Sequence, residues 1–290
     1  MTDEATAGTS QLSVSTAGPT PREDRPNDDL TFHEHAIVTA MALHLSEHRH
    51  IVLNYSGGAE SGLLLHLFQP FRERFTVVWN NPGALPHEAE HVRRQAEGGP
   101  FVELVSDREA YWRNNGLPSH LVPAGLMTLF PEDTPMDGPP LSPYKACCAV
   151  VRWKPFLDWS IANGVTLRIH GQRHGEGTAR FLACPKPCSE WGPLAAWTRA
   201  EVMRRVAHHR VALPRQYAEG YPTSMECAVC PANLDKARLA FLRRHYPAEH
   251  AETVRLAEEV FRRVTEAYEW QRDALTAAIT VRCSLKREAG

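Results

Sequence analysis

The chain has 290 residues, of which 43% are hydrophobic and 23% charged, so it can bury a full core as one large domain or two small ones. Its 32 Lys and Arg residues nearly balance its 34 Asp and Glu residues, and this balance does not favour nucleic acid as a partner. The sequence has no apolar run of roughly 18 residues, the length that spans a bilayer, and no signal-peptide pattern at its N-terminus. We therefore expect a globular cytoplasmic protein without a membrane partner.

The chain begins with a segment, residues 1–28, made mostly of Thr, Ser, Gly, Pro and acidic residues, which predicts a loose tail because few large apolar side chains offset the entropy of ordering. Apolar residues at helical spacing predict a helix over residues 30–49, and the apolar run at residues 50–55 predicts a buried strand. The same patterns continue with a helix at 62–69, a strand at 75–80, a helix at 86–97, a strand at 101–105, a helix at 149–163 and a strand at 165–170. This alternation predicts an α/β fold, a parallel sheet with helices on both faces.

Two later segments depart from this alternation. Residues 116–144 hold too many prolines for regular structure and predict an ordered loop or lid. Residues 234–280 consist mostly of helix formers, with one break expected at Tyr246-Pro247. We therefore divide the chain into a tail at residues 1–28, an α/β domain at residues 29–232 and a helical C-terminal extension at residues 233–290.

A glycine loop, Ser56-Gly57-Gly58-Ala59-Glu60-Ser61, joins the first predicted strand to the helix that follows it. Glycines let the backbone approach an anion closely, and the N-terminus of the helix offers oriented N–H donors. This arrangement suits a phosphate or sulfate group, although an ordinary tight turn between strand and helix fits the same residues. The loop is not a Walker A motif, because no Gly-Lys-Ser/Thr sequence follows.

The chain has seven cysteines, too few for the disulfide scaffold of a secreted protein. Four of them form two pairs, Cys147-Cys148 and Cys227-x-x-Cys230, and a four-thiolate metal site accounts for both pairs at once. Adjacent cysteines are unusual in a structural zinc site, so an iron–sulfur cluster is the favoured occupant. Two unrelated pairs of buried cysteines remain the alternative. A further pair, Cys184 and Cys188, is compatible with metal binding, a redox couple or simple packing.

The glycine loop resembles the pyrophosphate (PP) loop of the adenine nucleotide alpha-hydrolase superfamily, which includes ATP pyrophosphatases and sulfonucleotide reductases. Further motifs in sequence order resemble the phosphoadenosine phosphosulfate and adenylyl-sulfate reductase family, in its cluster-containing type. They are Cys147-Cys148 with Arg152 and Pro155, Gly171 with Arg173 and Arg180, Pro193-Leu194 with Trp197-Thr198 and Val202, Leu213-Pro214, Gly220-Tyr221 with Ser224, and Cys227 with Cys230. The resemblance covers roughly residues 51–231 and agrees with the predicted α/β fold.

This resemblance implies an oxidoreductase that converts adenylyl sulfate, or its 3'-phosphorylated form, to sulfite. It implies a 4Fe-4S cluster on the four paired cysteines, backbone amides of residues 56–61 that hold the phosphosulfate, and Arg173 and Arg180 as its neutralising cations. The family then uses a cysteine that attacks sulfur, and a thioredoxin-like reductant. The family's C-terminal Glu-Cys-Gly-x-His motif is missing here, and Cys283 is the nearest substitute for its nucleophile.

A second departure concerns the segment after the second strand, where the family's Asp-Thr-Gly-Arg is replaced by Asn80-Asn81-Pro82-Gly83-Ala84. These departures keep two alternatives open. One is an ATP-dependent sulfur transferase on the same fold, which adenylylates and thiolates a nucleic acid or a small molecule. The other is a regulatory protein that binds a nucleotide or cluster without catalysis. The loop's Gly-Ala-Glu, in place of a lysine-containing sequence, argues against ATP cleavage, and a homo-oligomer remains open.

Overall fold

The computed structural model describes residues 24–123, 126, 140–174 and 188–288, with side chains described as far as residue 279. Its strands are β1 (Ile51–Asn54), β2 (Thr76–Asn81), β3 (Phe101–Val105), β4 (Leu117–Ser119), β5 (Leu141–Pro143), β6 (Leu167–Ile169) and β7 (Ser189–Trp191). Its α-helices are α1 (Asn27–Glu47), α2 (Ala59–Leu67), α3 (Pro86–Gln95), α4 (Arg108–Asn115), α5 (Tyr144–Cys148), α6 (Lys154–Ala162), α7 (Arg199–His209), α8 (Lys236–His245) and α9 (Pro247–Glu288). A π-helical turn, Ala149–Trp153, links α5 to α6.

Five of the strands form one parallel sheet in the order β3-β2-β1-β6-β7. Successive side chains of a strand point to opposite faces, and the cores follow this period. Ile51 and Leu53 of β1 pack into one core with residues of α1, α2 and α7, whereas Val52 packs with Phe156 of α6 on the other face. The predicted α/β fold, with helices on both faces of a parallel sheet, is confirmed.

The centre of the sheet contains a topological switch point. Strand β1 pairs with β2 on one side and with β6 on the other, both in parallel. In open α/β sheets, ligands bind outside the carboxyl ends of the strands at such a point, because the connections leave in opposite directions and open a crevice. The glycine loop follows β1 directly, so the fold places it at the mouth of this crevice.

The proline-rich segment differs from its prediction. Its two ends form β4 and β5, which pair in parallel as a separate two-stranded sheet, with Pro118 opposite Ser142 and Ser119 opposite Pro143. A proline is tolerated in such a short pair because each strand has a free edge that needs no N–H donor. The prediction of a segment without regular structure was therefore wrong at these ends, and residues 124–125 and 127–139 lie outside the described residues.

The helical regions follow their predictions closely. The break at Tyr246-Pro247 is confirmed, since α8 ends at His245 and α9 begins at Pro247. Helix α1 begins at Asn27, inside the segment predicted as a tail, and residues 1–23 lie outside the described residues. No helix in the described part of the chain is both long and apolar enough to cross a membrane.

Candidate active site

A cavity of about 240 Å³ opens at the carboxyl ends of the central strands. Its wall combines the glycine loop, the π-helical turn and the segments that follow β2, β6 and β7. The lining residues are Asn54, Tyr55, Ser56, Glu60, Ser61, Asn80, Arg152, Trp153, Phe156, Arg168, His170, Gly171, Gln172, Glu190, Ser224 and Glu226. The crevice expected from the strand order is therefore present and is lined mainly by polar groups.

The glycine loop is held in shape by its own serines. The Ser56 N–H donates to Ser61 Oγ over 3.2 Å, and Ser61 Oγ donates to the Gly58 carbonyl oxygen over 3.3 Å. Gly57 has a φ of +73°, and a Cβ at that position would lie 2.7 Å from Val92 Cγ2. Only glycine fits this conformation and this close approach. The loop is therefore a specific backbone structure and not an interchangeable turn.

A tyrosine from a distant segment covers part of the loop. The Ala59 N–H, at the start of α2, donates to the Tyr217 hydroxyl oxygen over 3.1 Å. A Cβ on Gly58 would lie 3.0 Å from the same hydroxyl. Free N–H groups at a helix N-terminus are the usual anion-binding donors. Tyr217 thus occupies a donor that a bound phosphate or sulfate would otherwise use.

The charged groups around the loop are paired with one another. Glu60 Oε1 accepts from Arg173 Nε over 3.2 Å and also from Arg199 Nη1. Arg199 Nη2 in turn donates to the Pro222 carbonyl oxygen over 2.6 Å. Arg173, predicted as an anion-neutralising residue, therefore lies at the loop but is engaged by Glu60, while Arg180 lies outside the described residues.

Sequence analysis missed Arg199 although it stands next to a recognised motif. Thr198 caps helix α7 in a capping box with Glu201, and this cap orients the first turn of α7, where Arg199 lies. The contact between Arg199 and Glu60 spans 139 residues of sequence, so local patterns carry no signal for it. The basic residue at the start of a capped helix was the only available clue.

The histidines near the loop carry little positive charge. Burial lowers the pKa of His91, which lies against Gly57, to about 4, and burial also lowers the pKa of His170 in the cavity wall. Both imidazoles are therefore neutral near pH 7. Among the residues that the structure describes, the cations that line the cavity are the guanidinium groups of Arg152 and Arg168, which pair with Glu226 and Glu190 respectively.

The structure brings the four paired cysteines near one another, so that the thiols of the two pairs act on each other electrostatically; we call this group the four-cysteine pocket. Cys147 and Cys148 end helix α5, and Cys227 and Cys230 lie in the segment before α8. All four are free thiols. Burial is the largest of the causes that raise the pKa of Cys147 and Cys227 to about 12, and the neighbouring Cys230 thiol contributes to both shifts in the same direction. The two cysteine pairs are thus close enough to interact electrostatically although they are far apart in sequence.

No three of the four sulfur atoms lie as close together as the ligands of a single zinc ion. Around one zinc ion with bonds of about 2.3 Å, tetrahedral sulfur ligands lie about 4 Å apart. Among the described residues, no three of these cysteines place their sulfurs within 4.8 Å of one another. Four thiolates at the corners of a larger group, such as a 4Fe-4S cluster, are compatible with this spacing.

Buried hydrogen-bond donors surround the four-cysteine pocket. The Trp112 indole and the Arg152 guanidinium face the thiols of Cys147 and Cys148, whose pKa values they lower against the larger effect of burial, whereas Arg108 Nε and Nη1 have no hydrogen-bond acceptor in the described part of the chain. The guanidinium of Arg108 stacks 4.7 Å from the Trp112 ring centroid, and its charge lowers the pKa of Cys147 and Cys227 against the dominant effect of burial. Burying an unsatisfied N–H costs about 1–3 kcal/mol. The Arg108 donors therefore indicate a missing acceptor at the pocket.

Asn80 of β2 forms hydrogen bonds with the π-helical turn that follows the cysteine-bearing helix α5. Its Nδ2 donates to the carbonyl oxygens of Val151 and Arg152 over 2.9 and 2.7 Å, and its Oδ1 accepts from the Ser106 hydroxyl over 2.8 Å. The π-helical turn frees these carbonyls, as such turns often do at functional sites. Asn80, which belongs to the segment that replaces the family's Asp-Thr-Gly-Arg, therefore positions the π-helical turn, which lies between the cavity and the four-cysteine pocket.

The remaining candidate thiols are separate from the four-cysteine pocket or lie beyond the description. Cys283 lies within the backbone of α9, but its side chain is outside the described residues, so its proposed attack on sulfur stays a prediction. Cys184 also lies outside them. Cys188 is buried in the core beneath the sheet with Val52 and Phe156, where a small apolar side chain packs well.

Similar proteins are found among solved structures. No protein-family model matches this chain, and no curated protein matches it. A crystal structure of phosphoadenylyl-sulfate (PAPS) reductase from Candida auris, in a phosphate complex, is similar to it, with 12% sequence identity, a TM-score of 0.44 and coverage of 70% of this chain and 97% of that chain. The case for a function rests on the geometry of the cavity and the four-cysteine pocket.

Proposed function

We propose that this protein is a sulfonucleotide reductase-like enzyme. It reduces adenylyl sulfate, or its 3'-phosphorylated form, to sulfite and AMP or the corresponding bisphosphate, and it carries a resident 4Fe-4S cluster. The observation that carries the proposal is the position of Arg152. Its guanidinium lines the cavity and pairs with Glu226, and it also interacts with the thiols of Cys148 and Cys227. A nucleotide in the cavity is therefore next to the four-cysteine pocket.

The groups that face the nucleotide suit an anion that binds and dissociates reversibly. Backbone amides of residues 56–61 lie at the switch point of the sheet, and the arginine pair Arg173 and Arg199 is held by Glu60. An incoming phosphosulfate competes with Glu60 for these guanidinium groups, which can each pair two anionic oxygens. It likewise competes with the Tyr217 hydroxyl for the Ala59 N–H.

The four-cysteine pocket fits an iron–sulfur cluster. Cys147, Cys148, Cys227 and Cys230 would supply the four thiolates. The unpartnered donors of Arg108 would meet sulfur acceptors, and Trp112 and Arg152 already face the thiols of Cys147 and Cys148. When bound, such a cluster supplies a compact charged centre whose potential depends on the N–H donors around it. The two arginines offset the negative charge that four thiolates bring into a buried site.

The chemistry assigned to the chain is a thiolate displacement followed by thiol exchange. The Cys283 thiolate attacks the sulfur of the sulfonucleotide, an S–S bond forms, and the bond from sulfur to the phosphate oxygen breaks, so the nucleotide leaves with the electron pair. A thiolate of a thioredoxin-like reductant then attacks Cys283 Sγ and releases sulfite. The second thiol of the reductant resolves the mixed disulfide and regenerates Cys283.

The ATP-dependent sulfur transferase remains the competing function because the family's C-terminal motif is replaced by residues 281–286. One assay separates the two. Anaerobically purified protein is incubated with adenylyl sulfate and thioredoxin, or with ATP, and sulfite and pyrophosphate are measured. The reductase predicts sulfite, together with a sulfonate on Cys283 in mass spectrometry. Pyrophosphate from ATP without sulfite overturns the proposal, and full sulfite production by Cys283→Ser reassigns the nucleophile.

A further inference from the structure

The end of helix α1 carries a second group of metal-ligating side chains, far from the cysteines in sequence. His44 and His48 are separated by one helical turn, and Glu47 lies between them. His48 directly follows the helix and has an extended backbone, and its ring centroid lies 5.6 Å from that of His44. One ligand atom from each residue lies within 4.8 Å of the other two, and His44 Nδ1 lies 4.0 Å from a Glu47 carboxylate oxygen.

The surroundings of His44 give a second and independent indication. Its Nδ1 atom is buried and has no hydrogen-bond partner in the described part of the chain. The imidazole packs on the indole of Trp191 at the end of β7, with ring centroids 4.5 Å apart, so its orientation is restricted. A buried ring nitrogen without a partner is unfavourable, and a metal ion at this point would satisfy it.

We propose that His44, Glu47 and His48 bind one divalent first-row transition-metal ion of the class that imidazole prefers, such as Zn²⁺ or Ni²⁺. Two imidazoles and a carboxylate are ordinary ligands of these ions, and three protein ligands leave the fourth position of a tetrahedral site to water. The site is distinct from the four-cysteine pocket, because it uses no thiolate and lies on α1.

The position of the site on the helix favours a cation. Helix α1 ends at Glu47, where the unpaired carbonyl groups carry partial negative charge. The His48 N–H donates to the His44 carbonyl oxygen over 2.9 Å, which keeps the two histidines in one closed turn. A bound ion thus fixes this turn against Trp191, and its role is structural.

The test is a calorimetric titration of the anaerobically purified full chain with Ni²⁺ alone. His44→Gln and His48→Gln are compared with the wild type and with His35→Gln, an exposed histidine on the same helix. The wild type and His35→Gln should bind one more equivalent of Ni²⁺ than the two site variants. We expect their affinity for this equivalent to be higher by more than about tenfold, since even residues that only support a metal ligand contribute about that much.

Fluorescence gives a second measurement that does not depend on counting equivalents. Because Trp191 contacts His44, Ni²⁺ at this site quenches its emission, and Trp191→Phe should lose that quenching. Far-ultraviolet circular dichroism shows that each variant is folded before titration. Equal Ni²⁺ binding by the wild type, His44→Gln and His48→Gln, or Ni²⁺ binding without quenching of Trp191, overturns the proposal.

Discussion

The glycine loop and the four-cysteine pocket lie on either side of Arg152 and differ in how their polar groups are paired. In the loop, Glu60 engages two arginines, and the Ala59 N–H has the Tyr217 hydroxyl as its acceptor. In the pocket, the buried Nε and Nη1 donors of Arg108 have no acceptor among the described residues. The charged groups of the loop therefore have partners within the chain, although His91 and His170 beside it each keep an unpartnered ring nitrogen, whereas the cation of the pocket has two guanidinium nitrogens without one.

This difference indicates how each site is used. A site whose groups find partners within the chain tolerates the departure of its ligand, because those partners take over the hydrogen bonds. A site with unmatched buried donors is destabilised by about 1–3 kcal/mol for each donor when it is empty. The loop therefore suits an exchanging nucleotide, and the four-cysteine pocket suits a resident group that stays bound throughout turnover.

The largest expected effect comes from blocking the close approach of an anion to the backbone of the glycine loop. In Gly58→Val, the added side chain meets the Tyr217 hydroxyl, 3.0 Å from the Cβ position, and blocks the approach of an anion. We expect calorimetry to show that binding of adenylyl sulfate is abolished. The control is Gly98→Val, which strains a backbone φ of +89° but has no atom within 4 Å of the added Cβ, so it reports the effect of a destabilising valine outside the loop. Unchanged affinity in Gly58→Val would reduce the loop to a tight turn.

Glu60→Gln tests whether the loop's arginines are held by an internal competitor. The variant keeps the shape of the side chain but removes the negative charge with which Arg173 and Arg199 pair. We expect the affinity for the nucleotide anion to rise about tenfold, which corresponds to about 1.4 kcal/mol, and to rise most for ATP because of its larger charge. Glu103→Gln, which breaks the ion pair with Arg93, serves as the control. A loss of affinity would mean that Glu60 orients the arginines for binding.

Arg108→Gln tests the unpartnered donors because its effect on stability should have opposite signs in the metal-free and in the loaded protein. In the protein without metal, the variant removes a buried cation with unpaired N–H groups, so it should unfold at the same or a higher temperature than the wild type. In the loaded protein, it removes donors to the cluster, and the unfolding free energy should fall by about 1–3 kcal/mol. The cluster's midpoint potential should fall as well. Destabilisation of equal size in both forms would show that Arg108 is only a packing residue.

A smaller effect is expected at a buried carboxylate that forms a hydrogen bond with the segment before Cys227. Glu88 on α3 accepts the Met225 N–H over 2.7 Å, two residues before Cys227, and burial raises the pKa of Glu88 to about 8. Because this pKa lies above the ordinary value, the folded state binds more protons than the unfolded state between about pH 4.5 and 8. The unfolding free energy should therefore fall as the pH rises through this range. Urea titrations of Glu88→Gln should show a fall smaller by at least about 1 kcal/mol, and an identical pH profile would contradict this.

Much of the fold could be predicted because it depends on local periodicity. The central strands β1 and β2 are apolar runs, and the glycine loop that follows β1 is visible in sequence. Strands β4 and β5 could not be predicted, since each has three residues and contains a proline. Their existence depends on pairing between distant segments, which overrides local propensity.

Only part of the candidate site could be predicted from the sequence, for the same reason. The cysteine pairs and the glycine loop are contiguous motifs, whereas Arg199, Tyr217 and Asn80 act through contacts across 139, 158 and 71 residues of sequence. Asn80 illustrates the limit clearly. In the sequence it stands out only as part of the segment that replaces the family's Asp-Thr-Gly-Arg, but its amide donates to two carbonyl groups of the π-helical turn, a role that requires the backbone of the folded chain.

Metal analysis of the anaerobically purified protein tests the central claim most directly. If the four-cysteine pocket holds a resident cluster, the wild type should be brown and contain about four iron and four sulfide per chain. Cys227→Ala should lose this iron, whereas Cys188→Ala, whose thiol is buried in the core beneath the sheet, should keep it. A colourless wild type with one zinc per chain, or iron retained in full by Cys227→Ala, would contradict the account.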